Sequence, residues 1–331
     1  MTQPVSPPPL PEFAVNLAPP DLGPWIEGNT GIRGFTTHDS GTPGPHVAVL
    51  ALAHGNELAG AIVLDSLLRA GVTPLRGRLT FGFVNLVAFD RFDPRHPTAS
   101  RFVDEDINRL WDAPLLDGGR RSVELNRARE IRPLIDTVDV LLDLHSMLWP
   151  SDPLILCGES PKGRQLAFGI GVPGLVIADE GHLVGRRIID SRRFADPGTS
   201  CAASLIEAGQ HWEATTVDTT RASVAGLLRH VGMVADAPGL PPSGLPPPSR
   251  PPRRFAEVTR VVTALTSSFV FVQPFRGGDI VPERDTLIAL DGSTEIRTPH
   301  DNCLLVMPSL RPSRGHTAVR LGRFVPPVEG E

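Results

Sequence analysis

Val47-Ala48-Val49-Leu50-Ala51-Leu52-Ala53-His54-Gly55-Asn56-Glu57 is the stretch from which the rest of the chain is read. Its first seven residues are apolar without a break. A run of that length and continuity reads as a strand covered on both faces. A helical pattern begins at Leu58 and continues to residue 70, where Gly71 closes it, so His54–Glu57 occupies a strand-to-helix turn. At such a turn two side chains three positions apart can converge on one point, and Gly55 permits the tight backbone this requires. Convergence of an imidazole and a carboxylate suits a divalent metal.

Working outward, the same alternation recurs. Apolar runs at 79–85, 138–144, 154–157, 174–178 and 203–207 are interleaved with helical patterns over 122–135, 160–168 and 217–230, the last closed by Gly232. This predicts an α/β sheet domain. After residue 254 the pattern changes to EVTRVVTAL, SSFVFVQ, DTLIAL and NCLLVM, short segments parted by Gly, Pro and Asp turns, which predict a smaller, mostly β unit. The 35 prolines in 331 residues are about double the usual ~5% share. They crowd into residues 4–24 and Pro238–Pro252, stiff stretches that mark boundaries. The expected organisation is a leader over 1–24, a main domain over 25–235, a linker over 236–254 and a β-rich domain over 255–331.

Composition narrows the function. At 40% hydrophobic and 21% charged, with a net charge of −5, the chain is globular and long enough for a substantial core. The run Val47–Ala53 is the longest apolar stretch and falls far short of the ~20 residues of a membrane span. The opening MTQPVSPPPLPEF has neither a basic start nor an apolar core, so no secretion signal is read and the cytoplasm is the default expectation. Cys157, Cys201 and Cys303 lie far apart with no CxxC pair, which argues against a disulfide framework and a thiolate metal knot. Mild acidity without charge blocks excludes the electrostatic footprint of a nucleic-acid binder. Tyrosine is absent and Lys162 is the sole lysine, so binding of anions falls to Arg, Asn, His or backbone N–H groups.

Further polar residues end the other apolar runs. Asp143-Leu144-His145 closes the run at 138–144, and period two sets Asp143 and His145 on one side of that strand. His145 is the candidate third ligand; a His₂Glu set with one coordination position left for water is that of catalytic zinc. Asp143 can then accept the remaining N–H of a ligating imidazole. Glu207 ends the run at 203–207, where a carboxylate is costly unless it is paired with an arginine or working as a general base. His211, four residues on, is a substrate contact or a packing histidine. In the loop from Arg101 to Trp111, Arg101, Asn108 and Arg109 can form a carboxylate fork and a carbonyl polariser, or a solvated charged loop. Open α/β sheets collect their sites at the carboxyl ends of strands, where these residues fall.

Together, HGNE at 54–57, the spacing from Arg101 to Asn108-Arg109, DLH at 143–145 and EAG at 207–209 resemble the aspartoacylase and succinylglutamate desuccinylase family of zinc carboxypeptidase-like hydrolases. The resemblance covers about residues 45–230. It implies a mixed sheet flanked by helices, one Zn²⁺ per chain on His54, Glu57 and His145, and Glu207 as general base and proton shuttle. It further implies that Arg101 polarises the scissile carbonyl while Asn108 and Arg109 hold a substrate carboxylate. The implied partner is a small N-acyl amino acid, cleaved at its amide bond; a homo-oligomer is compatible with this. A metallocarboxypeptidase acting on short peptides and a non-catalytic metal-binding relative are the alternatives. Two family features depart: no tyrosine can approach the site from the second domain, and the arginine that reads a side-chain carboxylate in aspartate-specific members has four candidates here, Arg186, Arg187, Arg192 and Arg193. The apolar Met147-Leu148-Trp149-Pro150 after the histidine hints at an acyl group larger than acetyl.

Overall fold

The computed structural model describes residues 13–181, 185–234 and 253–326. Most of the expected linker at 236–254 and the first half of the leader lie outside the described residues. Among those described, the strands in chain order are β1 (Phe35–Asp39), β2 (His46–Ala51), β3 (Arg78–Phe83), β4 (Val140–Met147), β5 (Leu154–Leu156), β6 (Leu175–Ala178), β7 (Ala202–Gln210), β8 (Arg254–Thr263), β9 (Phe269–Phe271), β10 (Ile280–Val281), β11 (Leu287–Asp291), β12 (Thr294–Arg297), β13 (Cys303–Val306) and β14 (Thr317–Val325). One large mixed sheet runs in the order β1-β3-β2-β4-β7-β5-β6-β8-β14-β13-β10, and β12-β11-β9 form a small antiparallel sheet. The expected α/β class with a later β-rich part is what is observed. The later strands β8, β14, β13 and β10 extend the large sheet, with β8 parallel to β6.

The central strands are apolar throughout because both faces are covered. Along β2, Val47, Val49 and Ala51 enter one hydrophobic core, while Ala48 and Leu50 enter the other. The first core is closed by the helices Leu58–Arg69, Pro161–Ile170 and Ala214–His230, the second chiefly by Val123–Ile135. Each fully buried Leu or Val contributes roughly 1.5–3 kcal/mol, so strand order is held by the packing of two layers as well as by ladder hydrogen bonds. The helices start and stop on local signals. Ser122 and Ser160 accept N-terminal N–H bonds from Leu125 and Gly163. Gly71 and Gly232 follow their helices at φ of 65° and 68°, conformations that suit glycine.

Two strand ends differ from the sequence reading. β7 runs past Glu207 to Gln210, and β4 runs past His145 to Met147, so both polar residues sit inside their strands. The extension is cooperative: Met147 pairs with Gln210 across a register shift after His145, and Gly209 takes φ of 133° in that stretch. β1 and β14 were not legible as strands because FTTHD and TAVRLGRFV mix polar, charged and glycine residues among the apolar ones. No helix among the described residues is long and apolar enough to cross a membrane.

Candidate active site

Alternation along β4 sends Leu142 and Leu144 into the first core and leaves Asp143 and His145 on the opposite face. In β7, Ile206 joins that first core while Leu205 joins the second, which puts Glu207 on the same face as His145; the two residues are direct cross-strand partners. The turn after β2 reaches this face from the neighbouring strand. Ligand atoms of His54, Glu57 and His145 all lie within 4.8 Å of one another, and all three residues are buried.

Hydrogen bonding fixes which atoms face inward. His54 Nε2 lies 2.9 Å from Asp106 Oδ1, and His145 Nε2 lies 2.8 Å from Asp143 Oδ2. Each of these carboxylates can accept an Nε2 proton, and a ring with its proton there presents Nδ1 as the ligand atom. Both Nδ1 atoms face Glu57, at 2.7 Å from Oε1 for His54 and 3.0 Å from Oε2 for His145. Ser146 N–H also donates to Oε2, at 3.0 Å. In that tautomer two Nδ1 atoms and the Glu57 carboxylate converge on one point in a buried pocket, a position that a cation would satisfy. This donor set and its carboxylate-backed imidazoles fit zinc. The electrostatics agree in sign: burial alone would raise the Glu57 carboxyl, yet the adjacent His54 and His145 hold it well below the usual range.

Glu207 is different. It is buried, its Oε2 has no hydrogen-bond partner, and burial pushes its carboxyl up to about 8, against the pull of His145. A carboxyl near neutrality, beside a cation site and with a spare oxygen, can both take up and release a proton.

The other expected residues surround this centre. Arg101, partly exposed, donates from Nη2 to Asp106 Oδ2 at 3.1 Å and approaches Glu57 Oε1 with Nη1 at 3.4 Å. The Asn108 amide is turned inward: Nδ2 donates to Asp143 Oδ2 at 3.2 Å, and Oδ1 accepts the Ile188 N–H at 2.9 Å. Arg109 stays partly exposed, with Nη1 on the Asn108 carbonyl at 2.7 Å and Nη2 3.6 Å from Asp106 Oδ2; burial draws its guanidinium down to about 10. His211 is buried, faces the Ser146 hydroxyl at 2.7 Å, and is held down to about 3 by burial, hence neutral. Of the four candidate arginines, Arg187 is the buried one, gripped by Asp179 at 2.8 Å and Asp190 at 2.6 Å. Leu148 and Trp149 are packed against the cores.

Several residues of this neighbourhood were not singled out in the sequence. Asp106 lies two positions before Asn108, and Asp179 ends the run at 174–178 just as Glu207 follows its own; either could have been found by the logic applied to Asp143. Arg320 could not. It arrives from β14, more than a hundred residues after Glu207, to lie 3.3 Å from Asp179.

The class that this fold defines is one already seen in solved structures. The succinylglutamate desuccinylase from Vibrio parahaemolyticus superposes with a TM-score of 0.64 at 17% identity, covering 88% of this chain and 86% of that one. A succinylglutamate desuccinylase/aspartoacylase from Rhodobacter sphaeroides gives 0.60 at 16% identity, covering 88% of each. The relationship that the four motifs suggested is also found in sequence: residues 43–167 match the model of the succinylglutamate desuccinylase/aspartoacylase catalytic domain. A probable aspartoacylase from Parasynechococcus marenigrum (strain WH8102) is 32% identical over 146 residues, 40% of this chain. That match spans 44% of the relative's length. The matched stretch spans the positions of His54, Glu57, Arg101, Asn108, Arg109, Asp143 and His145 and ends before Glu207.

Proposed function

We propose that this protein is a zinc-dependent amidohydrolase that cleaves an N-acyl amino acid into a carboxylate and a free amino acid. The observation that carries the reading is the convergence of two imidazole Nδ1 atoms and Glu57 beside a neighbouring carboxyl, Glu207, whose Oε2 is unpartnered. His54, Glu57 and His145 would hold the ion, which when bound supplies Lewis-acid polarisation of water and of the scissile carbonyl. Asp106 and Asp143 keep the two imidazoles in the tautomer that presents Nδ1. Glu207 takes the proton of the attacking water on Oε2 and returns it to the leaving amine. Arg101, at the rim beside Glu57, faces the oxygen that becomes negative as the acyl carbon turns tetrahedral. Arg109 binds the substrate carboxylate; Asn108 supports it from behind, its amide holding Asp143 and the Ile188 turn in register.

The test is a hydrolysis screen on the full chain, varying acyl and amine parts separately, with bound metal measured alongside. One zinc per chain and chelator-sensitive release of amino acid are expected. Equal cleavage of tetrapeptides would shift the reading to a carboxypeptidase, and full zinc occupancy with no turnover on any acyl panel would sink it. The apolar residues after His145 are spent on packing, so the acyl preference rests on that screen.

A further inference from the structure

The turn that presents His54 and Glu57 is braced from outside as well as by hydrogen bonds of its own. It follows Leu52 at φ of 61°, a left-handed conformation that costs a branched side chain on the order of 1 kcal/mol or more and survives only where surroundings impose it. Inside the turn there is a 3.3 Å contact from Glu57 N–H to the His54 carbonyl. From outside, Gly55 N–H donates to the Arg101 carbonyl at 3.1 Å, and the Asn56 carbonyl, midway between the two ligands, accepts the indole N–H of Trp212 at 3.1 Å.

Trp212 is fully buried and is itself braced. The Phe13 ring meets it edge-on at 5.9 Å, and Asn16 N–H donates to its carbonyl at 3.2 Å. Phe13 also lies 5.3 Å from Trp149, which packs against the core of the C-terminal β part. Val15 and Leu17 anchor the same segment on the first core. A short piece of the leader is thus wedged between two tryptophans, one of which holds the ligand turn.

We propose that Trp212, braced by Phe13, is a positioning residue that keeps the His54–Glu57 turn in its ligand-presenting shape. This rests on the metal reading above. The indole N–H acts through the Asn56 carbonyl, so its loss lets the turn relax and moves two ligands relative to His145. Hydrogen-bonding partners one layer outside a metal typically change its affinity by about 10–100-fold.

The experiment compares metal-free full-length protein with Trp212→Phe, Phe13→Ala and the double variant, reading zinc affinity by competition with a chromophoric chelator and thermal stability separately. Trp212→Phe, which keeps an aromatic ring and removes the N–H, is expected to bind zinc about tenfold more weakly. Phe13→Ala should shift affinity in the same direction, and the double variant should lose less than the product of the two. Unchanged zinc affinity in folded Trp212→Phe with only a lower melting temperature would overturn the proposal. Should that variant fail to fold, unchanged affinity in Phe13→Ala does so instead. Failure of the unaltered protein to hold one zinc would remove the metal reading itself, an outcome distinct from equal affinities.

Discussion

Glu207 carries the general-base role in the proposed reaction, and its behaviour can be checked in two independent ways. Glu207→Gln keeps the shape and removes the basic oxygen, so turnover should vanish while zinc stays bound, as read by metal analysis and initial rates. Stability gives the second check. The folded carboxyl sits near 8 rather than at its ordinary value, so the native state binds a proton that the unfolded chain has released. The stabilisation from the protonated form is complete below the unfolded pKa and is lost as pH rises through about 8. In metal-free protein, Glu207→Gln should therefore match the unaltered chain near pH 4 and exceed it increasingly towards pH 8 in urea melts. No growth of that difference would place Glu207 in a wetter setting than its burial implies. The arginines divide by role: Arg101→Ala should lower kcat by about 10²–10³ with little change in KM, and Arg109→Ala should mainly raise KM. The motif histidines and carboxylates were legible as candidates because each lies at or close to the end of an apolar run. The inward turn of Asn108 was not, since its partners Asp143 and Ile188 come from distant segments.

Among the elements, the turn between β2 and the helix Leu58–Arg69 leaves no room for a side chain at Gly55. A Cβ at Gly55 would sit 2.3 Å from the Ala88 carbonyl carbon, 2.5 Å from the Phe89 nitrogen and 2.5 Å from the Ser100 oxygen, all backbone atoms with no rotamer to yield. Gly55→Ala should cost about 3 kcal/mol in denaturant midpoint analysis and abolish zinc binding in whatever fraction stays folded. Retained zinc affinity would mean that the turn can shift as a unit. Helix and strand identities in this region followed from apolar periodicity and from glycine stops, and the structure repeats them closely. Strand lengths did not follow, because β4 and β7 extend each other past the apolar residues by pairing Met147 with Gln210. A pairing between partners sixty residues apart leaves no mark in either segment alone.

Across the whole molecule, β14 joins the C-terminal part to the site by charge as well as by ladder. Asp179 accepts both guanidinium nitrogens of Arg187 and lies 3.3 Å from Arg320 Nε, all three residues buried. Asp179→Ala removes from a dry interior the carboxylate that pairs with Arg187 and lies beside Arg320, and breaking such a buried pair typically costs about 3–5 kcal/mol. Urea melts should show that loss, and the unaltered chain should unfold in a single transition because one sheet runs through both parts. A separate early transition for the C-terminal strands would contradict that coupling.

The amino-acid sequence by itself determined the alternation of strands and helices, the polar residues that follow the apolar runs and the three-residue spacing of His54 and Glu57, because periodicity and short-range geometry are local properties. Only the tertiary structure decided that β8 and β14 enlarge the main sheet, that Asp106 backs the His54 imidazole, and that Trp212 and Arg320 reach this neighbourhood. Those contacts join residues tens to hundreds of positions apart, and such pairings are selected by packing two cores at once rather than by any preference a single segment carries.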